Sequence, residues 1–407
     1  LPAVHHAPLY RQARVYPGTH TIRYKHQVIN IINVRTEGDF IKINEWLLPL
    51  SWLYGLGVRL RNWMFNIGLK KSRSFDIPVI SVGNITVGGS GKTPHVEYLI
   101  NLLHEKFRVA VLSRGYKRKS SGYLLADKDT TMPEIGDEPF QMKSKYKDIY
   151  VAVDKNRCHG IDRLTTDEAT KDVDVILLDD AYQHRYVKPG INILLIDYHR
   201  LIIYDKLLPA GRMREPKEGT SRADIVIITK CPKDLKPMEF RVLKRALNLY
   251  PYQELYFTTL RYNALKALFS NERISLNSLP KNTNILLLTG IASPEQMMVD
   301  LQTVTKRITP LTFGDHHQFT AEDVERINST FAAMPKPKII VTTEKDATRL
   351  EHVEGLSKET KSNIYALPIR IQFMLGGEEE FNNKIISYVR KNSRNSILVK
   401  RKNDHKA

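Results

Sequence analysis

Residues 78–94 read PVISVGNITVGGSGKTP, and this stretch decides the fold class. It begins inside a short β-rich run at 77–82 and passes through a glycine-rich turn into a helical pattern that starts at His95. A strand, a glycine-rich turn and a helix in this order are the context of a P-loop, in which backbone N–H groups surround phosphate oxygens. The sequence therefore predicts a P-loop NTPase-like α/β fold that binds a nucleotide.

The P-loop pattern predicts roles for individual residues of the turn. Lys92 is expected to reach the β- and γ-phosphates, and the hydroxyl of Thr93 is expected to bind Mg²⁺. The usual pattern has a glycine where this chain has Thr86, and Gly88 and Gly89 supply the flexibility instead. The predicted nucleotide-binding residues are Thr86, Val87, Gly88, Gly89, Ser90, Gly91, Lys92 and Thr93.

A second nucleotide-binding element is predicted at 173–180, where the sequence VDVILLDD ends an apolar strand with two carboxylates. This arrangement is typical of a Walker B site, in which carboxylates hold Mg²⁺ or its water ligands. Asp179 and Asp180 are therefore predicted to serve the metal. The alternative is that both are ordinary polar residues at the end of a strand.

Apolar strands alternate with helical stretches from residue 77 to about residue 250. This alternation predicts a mostly parallel sheet flanked by helices, with a ligand at the carboxyl ends of the strands. The P-loop core is expected over 74–255, and a second, smaller α/β unit over 256–391. The predicted strands are 77–82, 109–112, 149–153, 173–178, 191–197 and 225–229 in the core, and 285–288 and 339–343 in the second unit, which also has predicted helices at 294–305 and 320–333.

An uncharged, aromatic run near the start of the chain predicts a membrane-associated helix. Residues 46–58 read WLLPLSWLYGLGV, and a basic collar over 59–73 follows with five Arg or Lys residues and no acid. Aromatic and basic residues in this order favour the surface of an anionic bilayer. The sequence leaves open whether residues 46–65 span the bilayer or lie in it, and a buried core helix is the alternative. The predicted segment covers 37–73.

The net charge of +18 is concentrated in three short stretches. Residues 1–36 hold +5, the collar holds +5 and residues 390–407 hold +6, so the rest of the chain is nearly neutral. A nucleic-acid partner is therefore not expected, because it would require a basic face on the fold itself. Residues 1–36 are expected to be a disordered or spurious extension, and 392–407 a basic tail. The two cysteines suit a reducing cytoplasm.

Nine stretches resemble the tetraacyldisaccharide 4′-kinase family of lipid A biosynthesis. The resemblance covers about residues 40–390. It implies transfer of the γ-phosphate of ATP to the 4′-hydroxyl of a tetraacyldisaccharide 1-phosphate lipid, giving the 1,4′-bisphosphate. The stretches are PVISVGNITVGGSGKTP (78–94), LSRGY (112–116), GDEP (136–139), LLDDAYQHR (177–185), LLPAGRMREP (207–216), ITK (228–230), LTGIASPEQ (288–296), GDHHQFT (314–320) and TTEKDATRL (342–350).

The resemblance also implies roles for single residues. Asp137 would accept the proton of the sugar hydroxyl, and His316 would orient or tune Asp137. Lys92 completes the implied catalytic set. Guanidinium groups form bidentate hydrogen bonds with phosphate, so three arginines are candidates for binding the substrate phosphate. The implied Mg²⁺ residues are Thr93, Asp179, Asp180, Glu138 and Gln183, and the arginine candidates are Arg114, Arg185 and Arg214.

The expected partners are ATP, an acylated disaccharide 1-phosphate lipid and the inner-membrane surface, with no nucleic acid and no obligate protein partner. The expected location is the cytoplasmic face of the inner membrane of a Gram-negative bacterium, where the protein would be peripheral or singly anchored. Two alternatives are a membrane-associated P-loop ATPase or GTPase that acts as a switch, and a nucleic-acid-binding ATPase. The switch does not account for GDEP at 136–139 or DHHQFT at 315–320. The nucleic-acid-binding ATPase would need an RNA-binding motif or a stacking surface of aromatic and basic residues, and the sequence shows neither.

Overall fold

The computed structural model describes residues 43–291, 294–315 and 317–393. These residues fall into a small and a large compact region. The described part of the small region is 234–249, which contains one helix, and the large region contains both sheets and the candidate site. The predictions for residues 1–36, for 37–42 at the start of the membrane-associated segment, for most of 392–407 and for His316 lie outside the described residues.

The strands form two sheets. The first sheet has the order β15-β8-β7-β6-β1-β5-β2-β4-β3, and the second has the order β10-β9-β14-β13-β11-β12. In chain order the strands are β1 (Val79–Gly83), β2 (Val109–Ser113), β3 (Leu124–Leu125), β4 (Tyr150–Val153), β5 (Val175–Asp179), β6 (Ile191–Asp197), β7 (Ile225–Thr229), β8 (Glu254–Tyr262), β9 (Leu265–Ala267), β10 (Arg273–Ile274), β11 (Asn284–Thr289), β12 (Ile308–Thr312), β13 (Lys338–Thr343), β14 (Ile364–Leu367) and β15 (Ile369–Phe373).

The helices lie between the strands and at both ends of the described chain. In chain order they are α1 (Leu48–Asn66), α2 (Lys92–Leu103), α3 (Met132–Ile135), α4 (Asp137–Lys145), α5 (Arg157–Thr166), α6 (Pro237–Leu247), α7 (Glu295–Gln302), α8 (Ala321–Ala333), α9 (Glu344–Leu350), α10 (Lys358–Ser362) and α11 (Glu378–Asn392). Of these, α6 is the helix of the small region at 234–249.

The first sheet is parallel from β8 to β4, with antiparallel strands β15 and β3 at its edges. Its central strand β1 is buried throughout, because α2 covers one face and α5 and neighbouring segments cover the other. Continuous apolar runs are what a sheet covered on both faces requires. The predicted mostly parallel sheet flanked by helices is confirmed.

The first sheet also includes segments from late in the chain. Strand β8 crosses the predicted boundary at residue 255, and β15 pairs with it in antiparallel fashion. Helix α11 then buries Phe381, Ile385 and Val389 in the core of the first sheet. The second unit is therefore inserted between β8 and β15, which a boundary drawn along the sequence does not capture.

The second sheet is smaller and has a parallel centre of four strands, β14-β13-β11-β12. Strands β11 and β13 lie where the sequence predicts strands, and α8 begins close to its predicted start. The apolar face of α8 buries Val324, Ile327 and Phe331 against this sheet. The smaller α/β unit expected from the sequence is confirmed.

Helix α1 exposes most of its apolar side chains. Trp52 is 71% exposed and Leu53 67% exposed, and Trp46, just before the helix, is 93% exposed. The alternative of a buried core helix therefore does not hold. Over the described ranges, we find no helix with the length and apolar content needed to cross a bilayer.

Candidate active site

The P-loop turn lies between the end of β1 and the start of α2, as predicted. Gly91 precedes the helix with a φ of 81° and Gly88 has a φ of 116°, which are backbone conformations that glycine adopts without strain. No side chain caps the N-terminus of α2. Its first N–H groups therefore point out of the helix toward the place where phosphate oxygens would bind.

The P-loop lysine contacts the Walker B strand. Lys92 Nζ lies 3.6 Å from Asp180 Oδ1. Burial opposes the ionisation of Asp180, but the charges of Lys92 and Arg214 outweigh it, so the pKa of Asp180 is lowered. Asp180 is thus held as a carboxylate beside the lysine. Its φ of 46° is unusual for a residue other than glycine and places it in a strained turn at the end of β5.

The neighbouring Asp179 is buried and has a different environment. One oxygen, Oδ2, accepts a hydrogen bond of 3.3 Å from Ser113 Oγ at the end of β2, and the other, Oδ1, has no hydrogen-bond partner. Burial raises the pKa of Asp179, and the nearby charges of Glu138 and Asp180 raise it further. An added cation at this position would reverse that effect.

Three of the predicted Mg²⁺ residues lie close to the P-loop turn: the adjacent carboxylates Asp179 and Asp180 at the end of β5, and Thr93 in the first turn of α2. Among the described side chains we find no cluster of three or more His, Cys, Asp or Glu residues that could hold a metal alone. Mg²⁺ in nucleotide sites is usually held by one or two carboxylates together with phosphates and water. The unpartnered oxygen of Asp179, the ionised Asp180 and the start of α2 at Thr93 fit that arrangement.

Arg214 lies against the P-loop, because its own segment pairs with the first part of the turn. Arg214 N donates to Ile85 O at 2.7 Å, and its guanidinium donates to Thr86 O, Asn84 Oδ1 and Asp180 Oδ1. Arg214 therefore joins the P-loop to the Walker B strand.

The other two arginine candidates have different surroundings. The guanidinium of Arg185 donates to Asn62 O at 2.9 Å and Asn66 Oδ1 at 2.7 Å, and it lies over the ring of Phe65. Its contacts are therefore with α1 and not with the P-loop. Arg114 directly follows β2 and is exposed.

Asp137 and Glu138 begin α4, directly after Gly136. A side chain at position 136 would place its Cβ 2.9 Å from Tyr116 O, and the φ of 90° also requires glycine. Glu138 Oε1 lies 3.8 Å from Lys345 Nζ, which in turn lies 3.5 Å from Asp315 Oδ1. Asp315 and the start of α9, both in the second unit, thus lie close to the start of α4.

The chain matches one family model over most of its length. The family model described as "LpxK: Tetraacyldisaccharide-1-P 4'-kinase" matches residues 43–390. The chain belongs to this family. The result confirms the resemblance drawn from the sequence and the predicted class of ATP-dependent kinase.

Two curated relatives and one solved structure illustrate the match. Tetraacyldisaccharide 4'-kinase of Phocaeicola vulgatus is 59% identical over 88% of this chain and 99% of its own length, and that of Bacteroides fragilis is 52% identical over 91% and 100%. The crystal structure of "apo" form LpxK from Aquifex aeolicus in complex with ATP is 28% identical, with a TM-score of 0.66 over 85% of this chain and 99% of that one.

Two residues that sequence reasoning did not single out contact the candidate site of this kinase, and the first is Asn84. Asn84 is fully buried, and its side chain donates to Ser90 Oγ at 2.7 Å while accepting from Arg214. Gln183, a predicted metal residue, donates from its side chain to Asn84 O. Asn84 therefore ties the P-loop to both neighbouring loops. Only its place inside the P-loop stretch could have drawn attention to it.

Arg157 is a second residue that the sequence did not indicate. It is 2% exposed, and its guanidinium donates to Asp154 O at 2.7 Å and to Asp179 O at 3.2 Å. Burial lowers the pKa of Arg157 to about 10, which still leaves it charged at neutral pH. This buried cation lies behind the Walker B carboxylates and offsets part of their charge.

Proposed function

We propose that this kinase transfers the γ-phosphate of ATP to the 4′-hydroxyl of a tetraacyldisaccharide 1-phosphate lipid, giving the 1,4′-bisphosphate of lipid A biosynthesis. Membership of the family over residues 43–390 supports the reaction. The observation that carries the mechanism is the 3.6 Å approach of Lys92 Nζ to Asp180 Oδ1, because it brings the P-loop amine and the Walker B carboxylate to one point.

We propose that residues 86–93 surround the triphosphate of ATP. Bound Mg²⁺ would supply charge neutralisation at the β- and γ-phosphates. Thr93, Asp179 and Asp180 would hold it, with Glu138 close enough to raise the pKa of Asp179. The ammonium group of Lys92 would then move from Asp180 toward the phosphates, because the phosphate oxygens and the Asp180 carboxylate are both anionic partners for it.

Asp137 is proposed to accept the proton of the acceptor hydroxyl, with His316 as its partner. The 4′-oxygen forms a bond to the γ-phosphorus, the bond from that phosphorus to the β,γ-bridging oxygen breaks, and ADP leaves with the electron pair. The proton passes to the carboxylate of Asp137. Because a loose transition state needs little covalent help, most of the protein's contribution is positioning and charge.

In this proposal two of the candidate arginines hold parts of the protein together and the third binds the substrate phosphate. Arg214 holds the P-loop and the Walker B strand together, and Arg185 holds α1. Arg114 is exposed at the end of β2 and is the candidate best suited to the 1-phosphate of the lipid. Loss of Arg114 is therefore expected to raise the KM for lipid more than the KM for ATP.

We further propose that α1 and the collar dock the protein on the cytoplasmic face of the inner membrane. The exposed apolar side chains of α1 would enter the interface, and the basic residues at 59–73 would bind anionic headgroups. The acceptor carries four acyl chains and stays in the bilayer, so the enzyme must reach its headgroup there. Neither a nucleic acid nor an obligate protein partner is part of this proposal.

A transfer assay tests the reaction directly. Purified protein is incubated with γ-labelled ATP, Mg²⁺ and detergent-solubilised tetraacyldisaccharide 1-phosphate, and the lipid is extracted. Labelled lipid is the expected product. Hydrolysis of ATP without labelled lipid would contradict the proposed function and favour a switch ATPase.

A further inference from the structure

We propose that Arg349 is a positioning residue that holds the carboxylate of Asp137 in place from the second unit of the fold. The proposal rests on the role suggested above for Asp137. It concerns a residue of α9, a short helix to which neither the sequence nor the family comparison gives a task. Arg349 lies 212 positions from Asp137 in the chain, yet its Nη2 donates to Asp137 Oδ2.

Arg349 is itself held firmly. Its side chain is 1% exposed, and Nη1 donates to Asp346 Oδ1 at 3.1 Å. The guanidinium thus lies between two carboxylates and uses a separate nitrogen for each. A planar group with several fixed donors transmits orientation better than a single ammonium group does. The position of Asp137 Oδ2 is therefore set by the position of Asp346.

Asp346 is anchored to the ends of two strands. Its Oδ2 accepts hydrogen bonds from Thr343 Oγ1 at 2.7 Å, at the end of β13, and from Gly290 N at 2.9 Å, just after β11. Asp346 is completely buried. The chain of contacts runs from the centre of the second sheet through Asp346 and Arg349 to the first residue of α4.

Two further ion pairs join α9 to α4, and they differ from the Arg349 pair in their exposure to water. Lys345 lies 3.8 Å from Glu138, and Glu344 lies 2.9 Å from Lys145. Both of these pairs are more exposed than the Arg349 pair. Exposed pairs contribute little because water screens them, whereas loss of one partner from a buried pair leaves an uncompensated charge. The buried pair is thus the one that fixes the start of α4.

This contact matters for the reaction because a proton acceptor must lie within hydrogen-bond distance of the hydroxyl that it serves. Arg349 engages one oxygen of Asp137 and so limits rotation of the carboxylate. A misplacement of about 1 Å at a reacting group costs on the order of 100-fold in rate. Loss of Arg349 is therefore expected to lower kcat while leaving the ATP site, which is built from other elements, intact.

The test compares Arg349→Met and Arg349→Lys with the wild type and with Arg326→Met. Arg326 is an exposed arginine of α8 in the same unit, so it controls for loss of a positive charge. The readouts are kcat and the KM for ATP with Mg²⁺ and detergent-solubilised lipid acceptor, together with the thermal midpoint. We expect kcat to fall about 10- to 100-fold in Arg349→Met, with the KM for ATP within about twofold, and Arg349→Lys to be intermediate.

Double variants separate positioning from general damage. If Arg349 acts through Asp137, adding Arg349→Met to Asp137→Asn lowers kcat no further than Asp137→Asn alone. Independent, multiplied losses would overturn the proposal, as would an Arg349→Met enzyme with wild-type kcat. If Arg349→Met does not fold, the proposal is tested with Arg349→Lys alone. Wild-type kcat in Arg349→Lys would overturn the proposal, because an ammonium group cannot reproduce the two separate N–H donors of the planar guanidinium. Absence of labelled lipid with the wild type would instead overturn the proposed function.

Discussion

Replacing Trp52 with serine tests the membrane-docking surface at its most exposed helical aromatic. The side chain is 71% exposed on α1, so it packs little against the rest of the protein. A buried tryptophan removes about 150–250 Å² from water, and at about 25 cal/mol per Å² the exposed part of this ring corresponds to about 3–4 kcal/mol on full transfer to an apolar phase. The substitution should therefore affect membrane binding and leave folding nearly unchanged.

The headgroup region is only partly apolar, so we take about half of the full transfer value. The expected loss is about 1.5–2 kcal/mol, which corresponds to binding weakened by about 10- to 30-fold. The assay is co-sedimentation with vesicles that contain anionic phospholipid, over a series of lipid concentrations. Raising the salt concentration should weaken binding of both proteins, because the collar contributes about 1 kcal/mol per basic residue near an anionic surface.

Phe269→Ser is the matched control for this experiment. Phe269 is also an exposed aromatic, at 41%, but it lies on the second unit, after β9. The Phe269→Ser substitution should leave vesicle binding unchanged. Equal partition coefficients for Trp52→Ser and the wild type, with both proteins folded, would show that α1 does not enter the interface and would refute the reasoning.

Three further predictions concern chemistry and stability. Asp137→Ala should lower kcat for lipid phosphorylation about 100- to 10,000-fold while equilibrium binding of ATP persists, because the carboxylate acts on the acceptor; normal turnover would remove the proposed role. Burial lowers the pKa of His95 to about 4, below its ordinary 6.5. The stability that the neutral ring contributes is therefore complete above about pH 6.5 and is lost as the pH falls toward 4. The loss in the free energy of unfolding is at most about 3 kcal/mol. Urea unfolding of the wild type and His95→Gln across this range should show a shallower pH dependence in the variant, and parallel curves would contradict the assignment. Gly83→Ala should cost about 1–3 kcal/mol, because its Cβ would lie 2.7 Å from Tyr182 Cβ, whereas Gly57→Ala, with open space around it, should not destabilise the protein; equal thermal midpoints for the two would contradict this.

The P-loop and the Walker B strand could be predicted because their signals are local. A strand, a turn and a helix follow one another within 77–103, and the acidic end of β5 is next to its own apolar run. Parallel order then brings both to one edge of the sheet, since Val82 of β1 is in register with Asp179. Nothing beyond pattern and topology is needed for that part of the site.

The remaining parts depend on contacts that no short stretch contains. Strand β15 joins the first sheet only by pairing with β8, more than 100 residues earlier, so sequence order assigns it to the wrong neighbours. Arg185 and Arg214 each lie in a stretch that resembles the family, LLDDAYQHR and LLPAGRMREP, but the side chain of Arg185 contacts α1 and that of Arg214 contacts the P-loop. Arg349 has no local signal, because its partner Asp137 lies in another unit of the fold.

The helix that exposes its apolar face is also bonded to the loops that build the nucleotide site. Tyr54 Oη donates to Arg214 O at 2.8 Å, and Arg61 Nη2 donates to Gln183 O at 2.9 Å. Arg214 in turn holds Thr86 and Asp180. On the proposed docking, the depth of α1 in the interface therefore sets the height of the P-loop above the lipid headgroups. The basic collar shares this placement, because Arg59 and Arg61 lie in the second half of α1 itself and its other basic residues lie between α1 and β1.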